Sequence, residues 1–463
     1  MKSCSVGALF FALTAPFEVM SEEPRWNSPR EWVIARQERL RESEKVAEKL
    51  RIIEELAQTG GPARRSATAL VDALRDPDRQ VRLAAAHGLA TLGPFAADNL
   101  SFILPFLDVR DPTGDDDELR GELLLAVAQM GAVPYSPYGD RQSETIPILV
   151  GLLRHRNPKI RDRATLAIGA GGQYAREAVP DLVRLLDDTG DGDVESLRSV
   201  RAGAISALGH IGPAASSAVP KLLSILRTRP KEACFAIGAL GEIGTAHPEV
   251  VPVLISVLKD SSDRWQRWFA AHNLGRIGPE AEEAIPTLLK ILEQKEGPGS
   301  AERKVSLFGA RVPVLDRQLQ GVALYALGCM GPAAKAAVPI MTSYAAGRQL
   351  PNEVRASALR ALERLGPLAK EAVPDLILML KEPDPGYDVP NVLLAIGKDA
   401  IPALIELLKR REKLTGLTAL GILARMGPDA LAAREAIADL TNHPDVGRTA
   451  LEVLRHLDKY RKP

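Results

Sequence analysis

Residues 211–220 read IGPAASSAVP, and near-copies follow at 277–286 (IGPEAEEAIP), 330–339 (MGPAAKAAVP) and 365–374 (LGPLAKEAVP). In each copy an apolar helix ends at a glycine, a short turn follows, and Val-Pro or Ile-Pro opens the next apolar run. Spacings of 28 to 53 residues separate the prolines that anchor this pattern: Pro105, Pro147, Pro180, Pro220, Pro252, Pro286, Pro339, Pro374 and Pro402. Internal similarity at this period is typical of stacked helix pairs, and it favours an extended binding surface over a catalytic pocket.

The segment before each glycine predicts a helix with one buried face. In residues 80–93, QVRLAAAHGLATLG, apolar or small side chains recur with the spacing of a helical stripe. Gly93 ends this helix, and Pro94 starts the next element. We expect the proline of each Val-Pro dipeptide to lie several residues inside the following helix and to bend it. We also expect close helix approach at the glycines three residues before the terminal ones, which are Gly209, Gly241, Gly275 and Gly328.

This pattern resembles the HEAT repeat family, in particular the short Ala/Gly-rich repeats also found in bilin lyase-like proteins. The matching residues are the first-helix proline, an aspartate eight residues later (Asp188 after Pro180, Asp260 after Pro252) and a Val/Ile-Arg pair that opens the second helix. That pair occurs at Val81-Arg82, Ile160-Arg161, Val200-Arg201 and Val354-Arg355. The resemblance covers residues 60–457, roughly eleven repeats. It implies an all-α fold, an α-solenoid coiled as a right-handed superhelix of antiparallel helix pairs, in which these Asp and Arg side chains form a structural ladder between repeats.

Around the repeats, residues 20–59 are predicted to form charged capping helices, and residues 60–463 one solenoid with insertions near 109–117, 187–195 and 294–316. Residues 1–19 fit two interpretations. Lys2 and the apolar run 6–17 match a signal peptide, whereas a mis-assigned start would make Met20 the first residue. The protein is exported in the first case and cytoplasmic in the second. No apolar run is long enough to predict a transmembrane helix.

The composition and motifs exclude several kinds of function. Lys plus Arg and Asp plus Glu are equal at 59 each, so no global field attracts nucleic acid. The three cysteines form neither a C-x-x-C pair nor a disulfide framework. No H-E-x-x-H, G-x-S-x-G or P-loop motif is present, and no histidine is followed by glutamate, the pair used by iron-binding HEAT-repeat hydroxylases. We therefore predict no catalytic residue and no cofactor.

Two acidic insertions and one mixed insertion interrupt the repeats. Residues 111–117 and 187–193 both read D-x-T-G-D-x-D, and Asp115, Asp117, Asp191 and Asp193 are candidate ligands for a hard cation. The calcium-loop template fails because its twelfth position, counted from Asp187, is Arg198. We therefore favour solvated turns that cap the next helix. Residues 294–316 become apolar after a polar start, which favours folding back on the solenoid over contact with a partner.

One set of residues predicts a partner site. Positions thirteen, ten, six and two before the glycine that ends each second helix lie off the buried stripe, on one exposed face. Across three successive repeats, seven of these twelve positions hold aromatic or basic side chains, namely Trp265, Trp268, His272, Arg276, Tyr325, Arg360 and Arg364. Exposed Trp, Tyr and Arg carry much of the binding energy at protein interfaces. The competing interpretation is that one or both tryptophans replace a buried valine, because Gln266 occupies the usual valine position.

The function that these observations favour is a non-catalytic protein-binding scaffold or adaptor. It would clasp another protein or peptide on a concave face formed by the second helices, and the arginines favour an acidic partner. Nucleic acid is disfavoured as a partner, and a monomer is expected. Two alternatives stay open: a bilin lyase-like or other HEAT-repeat enzyme or accessory subunit, and a nucleic-acid-binding HEAT-like protein.

Overall fold

The computed structural model of the chain describes residues 28–58, 63–107, 116–131, 142–188, 199–293, 303–307, 310–314, 317–381, 388–410 and 412–460. The chain divides into two compact units, Met1–Tyr138 and Gly139–Pro463. Each unit is a row of helix pairs, which confirms the predicted α-solenoid class. The single domain predicted for residues 60–463 stays a prediction.

The described residues of the first unit form six α-helices. These are α1 (Pro29–Glu42), α2 (Val46–Ala57), α3 (Ala63–Ala73), α4 (Arg79–Leu92), α5 (Leu100–Leu107) and α6 (Asp117–Gly131). Helices α1 and α2 are the predicted charged segment and pack on α3 and α4. Their inner sides are apolar at Val33, Leu40, Ile52, Ile53 and Leu56, all of them buried.

The second unit contains the remaining helices and one β-hairpin. The first helices are α7 (Gln142–Leu152), α8 (Pro158–Ala170), α9 (Val179–Leu185), α10 (Val200–Ile211), α11 (Val219–Thr228), α12 (Ala233–Ile243), α13 (Val250–Asp260), α14 (Arg264–Ile277) and α15 (Ile285–Glu293). After the strands β1 (Arg303–Leu307) and β2 (Ala310–Val314) come α16 (Arg317–Cys329), α17 (Val338–Ala346), α18 (Asn352–Leu365), α19 (Val373–Met379), α20 (Asp388–Ile396), α21 (Ile401–Lys409), α22 (Lys413–Met426), α23 (Arg434–Ala438) and α24 (Gly447–Asp458).

From α3 onward the described helices alternate between two layers. Odd-numbered helices (A helices) each pack on the even-numbered helix that follows (the B helix), and within each unit successive B helices pack on one another. The helices from α3 to α24 make eleven such pairs, as the sequence predicted. The buried side chains in these pairs are mainly Ala, Leu, Val and Ile, so each repeat contributes one thin layer to a continuous core.

Where the structure describes the connection from a B helix to the next A helix, it consists of a glycine turn and a short 3-10 helix. Gly212 ends α10 with a φ of 73° and a ψ of −139°, a combination that residues other than glycine rarely adopt. Similar 3-10 helices run over Gly93–Asn99, Gly172–Ala178, Gly212–Ala218, Gly244–Ala246, Gly278–Ala284, Gly331–Ala337, Gly366–Ala372, Gly397–Ala400 and Gly427–Ala433.

These 3-10 helices change the place of the anchoring prolines. The helices α9, α11 and α17 begin only at the valine of their Val-Pro dipeptides, so Pro180, Pro220 and Pro339 lie within the first two helical residues. A proline is tolerated there because the first N–H groups of a helix have no intrahelical acceptor. The prediction that these prolines bend a helix from within is therefore wrong. Pro105 and Pro147 do lie inside α5 and α7.

The predicted close approach of B helices at glycines is confirmed. A Cβ added to Gly209 would lie 3.0 Å from Ala239 Cα, and one added to Gly328 would lie 2.7 Å from Ala361 Cα. Neither position can hold a side chain unless two helices move apart. Glycine is thus what sets the spacing of the B layer.

The arginines that open the B helices have a structural role, as the family resemblance implied. Arg161 donates from Nε and Nη2 to the two carboxylate oxygens of Asp188, at 2.8 and 3.0 Å, and from Nη1 to the His155 carbonyl. Arg201 donates to the carbonyls of Leu186 and Asp188, at the end of the preceding A helix. These side chains therefore satisfy carbonyl groups that a helix end leaves without partners.

The insertion between α15 and α16 contains a feature that the sequence did not predict. Strands β1 and β2 pair antiparallel, with Val305 opposite Val312 and Leu307 opposite Ala310. These are the only two strands among the residues that the structure describes, where all other regular elements are helices. Among the described residues, no helix combines the length and apolar character that a membrane span requires.

Candidate functional site

Helix α14 carries four of the seven predicted site residues. Its first turn is capped by Asp263, whose carboxylate accepts from the backbone N–H groups of Trp265 and Gln266 at 2.8 and 3.2 Å. This cap fixes the residue at which the helix begins, and therefore which side chains lie on its exposed face. Trp268 and His272 are four residues apart, so they lie on the same side of α14.

Four side chains from three successive B helices form one continuous column. The rings of Trp268 and His272 are parallel within 6°, with centroids 5.2 Å apart. His272 in turn stacks on Tyr325 of α16, at 5.5 Å and 15°. The guanidinium carbon of Arg364, on α18, lies 4.7 Å from the centre of the Tyr325 ring. We call these four residues, Trp268, His272, Tyr325 and Arg364, the ring stack.

The column is neither core nor fully exposed. Trp265, Trp268, His272 and Tyr325 are all half-buried, and Arg364 is exposed. Neither tryptophan on α14 is therefore a buried replacement for valine. Gln266, in the usual valine position, is also half-buried and accepts a hydrogen bond from the Ser261 hydroxyl at 2.9 Å.

Arg276, the fourth site residue on α14, is held by a partner that sequence reasoning missed. Its guanidinium forms a two-pronged ion pair with the carboxylate of Glu242 on α12. Glu242 stands two residues before Gly244, the same position that Arg276 has before Gly278, so the repeat alignment contained this signal. Burial and the nearby charge of Arg276 lower the pKa of His272, and Glu242 partly opposes this effect.

The other two basic residues lie on α18. Arg364 donates a hydrogen bond to the Cys329 thiol of α16, beside its contact with Tyr325. Arg360 is exposed, and neither arginine forms an ion pair with any residue that the structure describes. Arg360 and Trp265 share helices with the ring stack but have no ring contact with it among the described residues.

The candidate cation ligands fall mostly outside the described residues. Asp115, Asp191 and Asp193 lie there, and Asp117 pairs with Arg120 at 3.1 Å. The neighbouring Asp116 accepts from the Leu119 N–H and grips Arg79 at 2.8 and 2.9 Å, so it caps α6 as the solvated-turn interpretation predicts. Within the described ranges, no three His, Cys, Asp or Glu side chains gather as metal ligands do.

Comparison with known sequences agrees with the repeat architecture. Residues 219–301, which include α11 to α15, match the family described as HEAT repeats. These residues contain HEAT repeats. No curated protein matches its sequence.

Solved structures with this fold include importin beta, with a TM-score of 0.57 and 14% identity over 93% of this chain and 63% of that one. Kap121p bound to Pho4p has a TM-score of 0.56 and 16% identity, over 93% of this chain and 52% of that one. Kap121p bound to the extreme C-terminus of the protein phosphatase Cdc14p also has a TM-score of 0.56 and 16% identity. This match covers 93% of this chain and 53% of that one. This chain thus spans between half and two thirds of the length of these proteins, and the likeness concerns the fold.

Proposed function

We propose that this HEAT-repeat protein is a non-catalytic scaffold that holds another protein or peptide on the B-helix face of its second unit. The observation that carries the proposal is the ring stack, which joins three successive repeats through half-buried aromatic rings and the exposed Arg364. Such side chains bring a large contact area and are already ordered by their neighbours. They therefore lose little conformational freedom when a partner covers them.

The charge beside the ring stack indicates the chemistry of the partner. Arg360 and Arg364 are one helical turn apart on α18, and like charges at that spacing repel each other. Neither is neutralised by a carboxylate among the described residues. The guanidinium of Arg364 lies over the Tyr325 ring and donates from Nη1 to Cys329, and its other N–H groups can bind an acid in two-pronged fashion. A carboxylate next to an apolar side chain fits this surface, with Trp268 covering the apolar part.

The packing of the two helix layers supports a concave B face. B helices of the second unit pack closely on one another, through bare glycine backbones at Gly209 and Gly328, whereas successive A helices touch less. When one layer of a solenoid is more tightly spaced than the other, the row curves toward the tighter layer. The ring stack then lies on the inner side of the curve, where one extended partner segment can reach several repeats.

Solved relatives of the same fold hold partner chains. Kap121p has been crystallised with Pho4p and with the extreme C-terminus of Cdc14p. We extend only the general property, the capture of a partner by a HEAT-repeat solenoid, to this chain. The acidic character of its partner is inferred from Arg360 and Arg364 alone.

Comparative capture from the source organism tests the proposal. We would immobilise the unaltered protein, the Trp268→Ala/Arg360→Ala variant, and a control with Leu378→Ala/Lys370→Ala, which removes an exposed leucine and an exposed lysine from the other layer. Partners should be lost from the first variant and kept by the control, with binding weakened by at least about 2 kcal/mol. Equal capture by all three proteins, or selective retention of only a tetrapyrrole or DNA, would refute the proposal.

A further inference from the structure

A notch opens at the edge of the second unit, where the turn after α12 departs from the repeat pattern. The 3-10 helices on either side, Gly212–Ala218 and Gly278–Ala284, have seven residues each, whereas Gly244–Ala246 has three. Thr245 stands where the neighbouring turns have Pro213 and Pro279. The chain then leaves the helical region at His247, with a φ of −136° and a ψ of 130°. The 3-10 helix after α12 is thus cut short within a connection of ordinary length, and an open space lies beside it.

That space is a cavity of about 440 Å³, which falls within the size range of ligand pockets. Its walls include Pro213, Glu242, Thr245, Arg276, Ile277 and Glu280. Thr245, Arg276 and Glu280 are exposed, so the notch is open to solvent and a side chain can enter it from outside.

The electrostatic character of the notch is negative. Arg276 and Glu242 neutralise each other in their two-pronged ion pair, which leaves the carboxylate of Glu280 as the uncompensated charge in the wall. Glu280 forms no ion pair with another described residue. The C-terminal residues of α12 and α14, Ile243 and Ile277, also line the space, and helix C-termini carry partial negative charge.

We infer that this notch binds the basic side chain of a lysine or arginine. Its aliphatic stem would pack on Ile277 and Pro213, while its charged head would approach Glu280 and the two helix ends. The notch shares Arg276 with the predicted partner site, since Arg276 lies one helical turn beyond His272 on α14. This inference deepens the proposed function, on which it rests for its partner: a basic side chain would enter the notch while an acidic group meets Arg360 and Arg364.

The test follows the notch directly with defined peptides. We would label isoleucine δ1 methyl groups with ¹³C and titrate the full chain with N-acetyl-Gly-Lys-Gly-amide, observing Ile277 in the notch and the buried Ile401 of α21 as a remote reporter. The Ile277 signal should shift in a saturable way and the Ile401 signal should stay. The same peptide with an acetylated lysine should shift neither, because acetylation removes the charge.

Two charge-reversal variants provide the matched comparison. Glu280→Lys should weaken the response by about fivefold, since an exposed ion pair contributes up to about that factor. Glu282→Lys makes the same change on the same 3-10 helix, outside the notch, and should keep the response. An unmoved Ile277 signal, an equal response to the acetylated peptide, or equal loss in both variants would overturn the inference.

The Trp268→Ala/Arg360→Ala variant separates this inference from the proposed function. It should bind the lysine peptide as the unaltered protein does, because neither side chain lines the notch. Loss of the Ile277 response in that variant would contradict a distinct basic-side-chain site. If the notch binds lysine but the ring-stack variant captures the same partners as the unaltered protein, the notch stands and the proposed function falls.

Discussion

The imidazole of His272 on α14 lies almost parallel to the phenol ring of Tyr325 on α16, with centroids 5.5 Å apart and planes inclined by 15°. The two helices are separated in sequence by an insertion with its own β-hairpin, yet they pack as ordinary neighbours in the B layer. Gly275 makes this possible, because a Cβ there would lie 2.8 Å from Ala326 Cα and 2.9 Å from Tyr325 Cε1. The aromatic contact thus depends on a glycine in the facing helix.

Replacement of Gly275 should therefore disturb both packing and the ring stack. We expect Gly275→Ala to lower the free energy of unfolding by about 1–3 kcal/mol, the usual cost of overpacking. Gly238→Ala on α12 is the control, because a Cβ at that position meets nothing within 4 Å. It should leave stability unchanged or raise it by up to about 1 kcal/mol, since alanine favours a helix. Equal effects of the two substitutions in chemical denaturation would show that helix spacing does not depend on Gly275.

Truncation of Trp268 separates a surface role from a core role. Because its side chain is half-buried, Trp268→Ala should lower the free energy of unfolding by about 1–2 kcal/mol, less than the ~3–5 kcal/mol lost with a fully buried aromatic side chain. Leu274→Ala on the same helix is the core control, because Leu274 is fully buried. It should cost about 2–5 kcal/mol. A fall in melting temperature for Trp268→Ala that matches or exceeds the fall for Leu274→Ala would place the tryptophan in the core.

Much of the fold could be predicted because glycine and proline mark the helix ends at a regular period. The eleven helix pairs and the close approach at Gly209 and Gly328 follow from that pattern. The seven-residue 3-10 helices could not be predicted, because so short a segment has no helical periodicity to detect. The hairpin of residues 303–314 was also missed, since an insertion has no counterpart in the other repeats with which to compare it.

For the candidate site, the sequence predicted which helix faces carry the aromatic and basic residues. It could not predict their order of contact, because the distance from His272 to Tyr325 depends on how closely α14 and α16 approach. The ion pair between Arg276 and Glu242 was missed for a similar reason. Arg276 by itself gives no sign of its partner. Glu242 becomes visible as the partner only when the same position of the preceding repeat is compared.

The Arg161–Asp188 pair offers a test of the inter-repeat ladder. Both side chains are largely buried, and Arg161 also donates to two backbone carbonyls. Arg161→Ala should cost about 3 kcal/mol of unfolding free energy, because it removes the charged hydrogen bonds to a largely buried carboxylate together with those to two backbone carbonyls. The control is Arg448→Ala, which breaks an exposed pair with Glu452 and should cost less than about 0.5 kcal/mol. Similar costs for the two variants would contradict a structural role for the ladder.

The pH dependence of stability should reveal the lowered pKa of His272. Burial and Arg276 lower the pKa of this imidazole in the folded protein, so between its ordinary and its lowered pKa the unfolded chain binds more protons than the folded one. Stability therefore rises with pH through that window, and it is lost as the pH falls through the folded pKa. At pH 7.5 the imidazole is neutral and stacks between Trp268 and Tyr325.

The loss of stability caused by His272→Gln should consequently be smaller at pH 5 than at pH 7.5. At the higher pH the variant loses the two ring contacts, whereas at the lower pH it also escapes the cost of placing a second cation beside Arg276. Urea denaturation at both pH values measures the difference. Tyr325→Phe is the control, because it keeps the ring contact and the imidazole and should change stability equally at both pH values. A His272→Gln effect that is larger at pH 5 would mean that the protonated imidazole is stabilised in the fold, by Glu242 more than it is opposed by Arg276.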